Sequence, residues 1–67
     1  MMLYVDYIGD CGDRCTAILQ PINVLEHLVM HDTRDIRTAC MRIISDRMHM
    51  KCMGIIDIKL LSDEAIQ

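Results

Sequence analysis

The chain contains no Phe and no Trp, and its aromatic content is limited to Tyr4 and Tyr7. A core without large rings must be assembled from Ile, Leu, Val and Met, which makes it plastic. No apolar run approaches the roughly 20 residues needed to cross a bilayer, so no membrane contact is expected. The N-terminal run Met1 to Ile8 is interrupted by Asp6, with no basic region before it and no small-residue cleavage site after it, so it does not read as a targeting signal. There is no Gly-rich phosphate loop, no Ser-centred elbow and no paired-carboxylate signature. Sixty-seven residues also leave little room for a substrate cleft of the usual ~300 Å³ or more. These absences point to a non-enzymatic protein.

What is present is an unusually apolar small chain, 52% hydrophobic with seven Met. That composition argues against disorder. The length allows one domain, and a chain this short buries only about 60% of the surface it exposes when unfolded. Small scaffolds therefore add a disulfide, a metal or a second subunit. So much apolar surface on so few residues predicts a homodimer or a face that binds another protein. Four Cys at irregular spacing beside three His favour a reducing, intracellular setting, where thiols serve as ligands more often than as bridges. A secreted product with two disulfides is the alternative, with three possible connectivities.

The net charge of −3 is unevenly distributed. Residues 1–32 carry Asp6, Asp10, Asp13, Glu26 and Asp32 against Arg14 alone, whereas residues 33–51 carry Arg34, Arg37, Arg42, Arg47 and Lys51 against Asp35 and Asp46. Any anionic partner must use that middle segment.

In chain order, Leu3 to Ile8 is β-branched and aromatic and ends at Gly9-Asp10, a strand entering a turn. Cys15 to Gln20 returns as a second strand, so Cys11 and Cys15 sit on or beside a hairpin loop. A helix over about 22–31 starts either with Pro21 at its first position or with Asn23 capping and Glu26 answering it. On it Ile22, Leu25, Leu28 and Val29 form the stripe expected to be buried, flanked by His27 and His31. Asp32 or Thr33 then caps a second helix running to about Arg47 or Met50. Its buried face is Ile36, Ala39, Cys40, Ile43 and Ile44, and Arg42 can pair with Asp46 on the opposite face. Ile55 to Leu60 alternates as a strand with Ile56, Ile58 and Leu60 on one side. Ser62-Asp-Glu is a helix-start signature at the tail. The expected fold is thus α+β, approximately β-β-α-α-β, in one domain spanning 1–67. Its parts are a unit at 3–31, a helix-plus-strand extension at 33–61 and a tail at 62–67.

One constellation carries chemistry. Cys11-Gly-Asp-Arg-Cys15 is followed after eleven residues by His27-Leu-Val-Met-His31. Structural zinc takes four thiolate or imidazole ligands in a tetrahedron at about 2.0–2.3 Å. Two Cys straddling a turn and two His one helical turn apart can supply that geometry, so Cys11, Cys15, His27 and His31 are the candidate zinc ligands. With Leu19 four beyond the second Cys, Val24, and Glu26-His27-Leu28, this stretch resembles Cys-Cys-His-His zinc fingers, most closely the ubiquitin-binding fingers of translesion DNA polymerases. The resemblance covers residues 11–31 and implies a zinc-stabilised β-β-α unit. The first pair is spaced by three residues where two or four are usual. Val29 occupies the position that is acidic in those fingers and to which their ubiquitin contact is ascribed.

Two further surfaces are proposed by composition. Met41, Met48, Met50 and Met53 form a Met-rich candidate docking face for a partner protein. The alternative is a nucleic-acid-binding, helix-turn-helix-like regulator in which Arg34, Arg37 and Arg42 lie near the start of a recognition helix within 33–47. The leading expectation is a small protein-interaction or regulatory module with a structural zinc.

Overall fold

A computed structural model describes residues 1–62. The elements are β1 (Met2–Ile8), β2 (Arg14–Leu19), α1 (Pro21–Met30), α2 (Ile36–Met48) and β3 (Gly54–Leu61), the expected α+β order β-β-α-α-β. The expected helix start at Ser62-Asp-Glu lies outside the described residues from Asp63 onward.

β1 is the central strand of an antiparallel sheet ordered β2-β1-β3. Because β1 pairs with β2 on one side and β3 on the other, the 3–31 stretch shares its sheet with the 54–61 strand instead of standing apart from it. The β1–β2 hairpin closes over Gly9–Asp13 with Gly9 N–H donating to the Asp13 carbonyl at 2.9 Å and Gly12 N–H to Gly9 at 3.0 Å. Gly12 has φ of 82°, a conformation that costs a side-chain-bearing residue more than glycine.

Alternation along β1 sends Leu3, Val5 and Tyr7 to one face and Tyr4, Asp6 and Ile8 to the other. Val5, Tyr7 and Leu19 of the sheet are buried with Val24 of α1 and with Ala39, Cys40 and Ile44 of α2, and Cys52 closes the end of the cluster. Both helices thus cover the same face. On the opposite face Asp6 stands directly across from Asp57 and is met by Arg14 at 3.3 Å, which offsets that like-charge contact.

Two local expectations are corrected and one pair of alternatives is decided. In β3, Tyr7 pairs with Ile55 while Asp6 pairs with Asp57, so Ile56 is the extra residue of a β-bulge. The bulge moves the alternation by one, so that Ile55 and Ile58 pack on the core while Ile56 is exposed. In α1, Pro21 takes the first helical position after Gln20, which makes no side-chain capping bond, so the Asn23–Glu26 capping pair is not used. In α2, Asp35 is itself the cap: its carboxylate accepts from Arg37 N–H at 3.1 Å and from the Thr38 hydroxyl at 2.6 Å. The helix ends at His49, whose φ of 52° places it in the left-handed region.

α2 lies across the sheet and is tied to both of its edges. Near its start Arg37 donates to the Ile55 carbonyl of β3 at 3.2 Å, and near its end Arg47 donates to the Ile18 carbonyl of β2 at 3.4 Å. The ten-residue interval rises about 15 Å, against roughly 10 Å between the two edge strands, so each arginine reaches one edge. The sequence placed Arg37 near the start of a recognition helix and gave Arg47 no role beyond its charge.

Ile44→Ala is expected to remove about 3 kcal/mol by transfer and cavity terms, comparable with the whole core contribution of so small a domain. Urea denaturation should therefore find that variant largely unfolded and Ile44→Val destabilised by about 1 kcal/mol. The cap makes a separate prediction. The Thr38 hydroxyl, aided by the Thr38 and Arg37 backbone N–H groups and the Arg37 charge, holds the Asp35 carboxyl below its ordinary value. A depressed folded-state value stabilises above the ordinary Asp range and is lost as pH falls through the folded one. Asp35→Ala should lower the thermal midpoint at neutral pH, and the deficit should narrow on acidification below the Asp range.

Candidate functional site

The structure brings together one half of the expected zinc quartet. His27 and His31 stack with ring centroids 4.1 Å apart and planes inclined by 26°. Cys11 is exposed in the hairpin loop, where hydrogen bonding and charge from Asp10 push its thiol up, away from the thiolate form that zinc binds. Cys15 lies on β2 opposite Tyr7, packed on the core, with its Sγ 3.7 Å from the Asp13 carbonyl. Among the described residues no three His, Cys, Asp or Glu side chains assemble as a metal requires. The tetrahedral grouping of Cys11, Cys15, His27 and His31 is not assembled among the described residues. The Cys spacing leaves one thiol at the hairpin tip and points the other into the core, so the pair does not converge.

The four candidate methionines do not form one face. Met41 packs against the core and lines a cleft with His27, Met48 lines a groove with Tyr4 and Ile18, and Met50 lies close to Gly9. Met53 is exposed, with its N–H donating to the Ile8 carbonyl at 2.8 Å. The arginines of the alternative reading are also dispersed. Arg34 precedes α2, Arg37 is bonded to β3, and Arg42 points toward α1. Positions 37 and 42 stand about 140° apart around the helix. The expected Arg42–Asp46 ion pair does not form among the described residues.

The surface that the structure does assemble is on α1. Val24 and Leu28 turn inward, with His27 on their margin, whereas Ile22, Leu25, Val29 and Met30 are 54%, 56%, 81% and 79% exposed. The stripe expected to be buried is thus split, with Leu28 inside and the other three outside. α1 is apolar on two sides, and only one of them can meet the core. Two shallow grooves flank Leu25. One, about 330 Å³, is lined by Ile22, Leu25, Glu26, Val29 and Met30. The other, about 290 Å³, runs past Leu28, Ile36, Ile58 and Leu60. Ile36 and Leu60, 49% and 59% exposed, extend the face beyond the helix.

On the inner margin of α1 lies a cleft of about 380 Å³ walled by His27, His31, Met41, Arg42, Ser45, Asp46, Lys51 and Cys52. Cys52 is fixed there by its N–H donating to Ser45 Oγ at 3.2 Å, a placement that the aperiodic stretch 48–53 did not signal. His27 Nδ1 is buried with no hydrogen-bond partner. Burial first, then the neighbouring His31 and Arg42, hold the His27 imidazole below its ordinary value, with Asp46 acting in the opposite direction. Comparison with protein-family models, with characterised proteins and with solved structures finds no match to this chain.

A lowered imidazole value means that the unfolded chain takes up the proton more readily, so this contribution to stability is present above the ordinary His range and is lost as pH falls through it. His27→Leu removes the orphaned nitrogen. It is expected to stabilise by about 1 kcal/mol in urea denaturation and to flatten the pH dependence of stability around pH ~6.5.

Proposed function

We propose that this protein is a small interaction module that docks through the outer face of α1, and that the partner is a second copy of the same chain. The observation that carries this reading is the face built from Ile22, Leu25, Val29, Met30, Ile36 and Leu60. It is contiguous through Leu25, which lines both grooves. At the exposures these side chains have, it offers roughly 700 Å², above the few hundred usual on a monomer and close to the ~800 Å² that one partner contributes to a standard interface.

The shape of the face favours a copy of itself. A twofold axis that brings two α1 helices together antiparallel sets Leu25 and its neighbours against the same apolar strip of the copy, so that each covers the other. Glu26 is the only charged side chain among the described residues of these grooves. The twofold places both copies of Glu26 on the same flank of the contact, where salt screens their repulsion. Association through this face is therefore expected to strengthen with salt, opposite to the steep weakening that marks binding through phosphate contacts.

Sedimentation equilibrium of the full chain is expected to give a dimer at protein concentrations on the order of 100 µM, since interfaces of this size reach micromolar affinity or tighter. Leu25→Glu or Val29→Glu should yield a monomer with unchanged helix content, because both side chains already face solvent. A monomer at that concentration for the unmodified chain, or an unaltered dimer in both variants, would remove the proposal.

A further inference from the structure

The cleft on the inner side of α1 carries a charge arrangement that self-association does not use. Arg14, Arg37 and Arg47 are each committed, to the Asp6 carboxylate, the Ile55 carbonyl and the Ile18 carbonyl respectively. Arg42 and Lys51, both on the cleft wall, have no hydrogen-bond or ion-pair partner among the described residues. Asp46 stands one helical turn from Arg42 and shares the wall, yet leaves the guanidinium free. Beside these two fixed cations stand the stacked imidazoles and the Ser45 hydroxyl, with Met41 and Cys52 supplying apolar surface. In a chain of net charge −3, this wall has two fixed positive charges against one negative.

That composition selects for a ligand class. A metal cation would meet Arg42 and Lys51 as like charges, and imidazoles stacked face to face do not aim their nitrogens at one point. An anion meets the reverse situation. Guanidinium presents paired donors matched to phosphate oxygens, ammonium adds a point charge, and both here are spared from internal contacts. The volume lies within the roughly 300–1,000 Å³ typical of small-molecule sites. It exceeds what a lone phosphate fills, so the apolar wall is left for an organic body.

We propose that this cleft binds a small phosphate monoester, with the phosphate held between Arg42 and Lys51 and reached by His31 and Ser45, and the organic part lying against Met41 and Cys52. The charged and titratable groups around it are His27 and His31 from α1, Arg42 and Asp46 from α2, and Lys51 and Cys52 from the segment leading into β3. Asp46 opposes the anion.

The test is an NMR titration of the full chain at constant ionic strength with phenyl phosphate, inorganic phosphate, phenol and chloride. Phenyl phosphate is expected to give saturable shifts at the His31, Arg42 and Lys51 side chains, with tighter binding than inorganic phosphate and no saturable response to phenol or chloride. Arg42→Gln and Lys51→Gln should each weaken binding about tenfold, and Asp46→Asn should tighten it about threefold. All three positions are exposed, so amide dispersion should be preserved. Equal affinity for phenyl and inorganic phosphate would overturn the monoester assignment in favour of free phosphate. Non-saturating shifts common to phosphate and chloride, weaker binding in Asp46→Asn, or saturation by Zn²⁺ with no response to phosphate would overturn the site.

Discussion

The organising constraint is that a three-stranded sheet with both helices on one side offers a single buried face. Val5, Tyr7 and Leu19 define it, and whatever the helices present to it becomes the core. Two helices can each bury about one stripe there. α2 spends its stripe on Ala39, Cys40 and Ile44, the small Ala39 side chain allowing the helix to sit close. α1 has two apolar stripes, and its second has no place in a two-layer structure whose shortest dimension is 17 Å. The exposed face of α1 is thus a consequence of how little interior 67 residues can enclose.

The same economy explains where the positive charge goes. An edge strand carries unpaired backbone groups that invite pairing with other chains. Arg37 and Arg47 occupy one carbonyl on each edge, from opposite ends of a single helix. They bind the fold together from outside the core and are withdrawn from any polyanion. Of the middle segment's four arginines, two are thus fixed by the sheet, Arg34 precedes α2, and Arg42 is free to face a cleft. The composition of residues 33–51 had suggested a single basic surface.

The order of elements was legible because its signals are local: β-branched alternation before Gly9, Pro21 at a helix start, the polar break at 31–35, and Gly54 before an alternating run. The cap of α2 was legible in kind, though Asp35 holds it and not Asp32 or Thr33. What was not legible depends on tertiary choice. No residue in α1 ranks Val24 and Leu28 above Ile22, Leu25 and Val29 for burial, since both sets recur at helical spacing. The bulge at Ile56 has no glycine to announce it, and it puts Ile55 on the core face in place of Ile56 while leaving Ile58 where simple alternation put it. The His pair was found by its four-residue spacing. Its companions in space, Arg42, Lys51 and Cys52, come from segments whose approach to α1 is set by packing.

α1 and α2 differ in how well they obey the rules that stabilise helices. α2 has a bonded side-chain cap, a left-handed terminus and an arginine tie near each end. α1 starts without a side-chain cap, exposes four large apolar residues and buries an imidazole nitrogen with no partner. Each departure costs stability that a polar surface residue or a leucine at position 27 would recover. Departures of this kind, gathered on one element while its neighbour is locally consistent, are where a functional surface is expected. They lie on two sides of α1, one apolar and one bordered by free cations. That placement supports reading α2 as the brace and α1 as the element through which this protein meets other molecules.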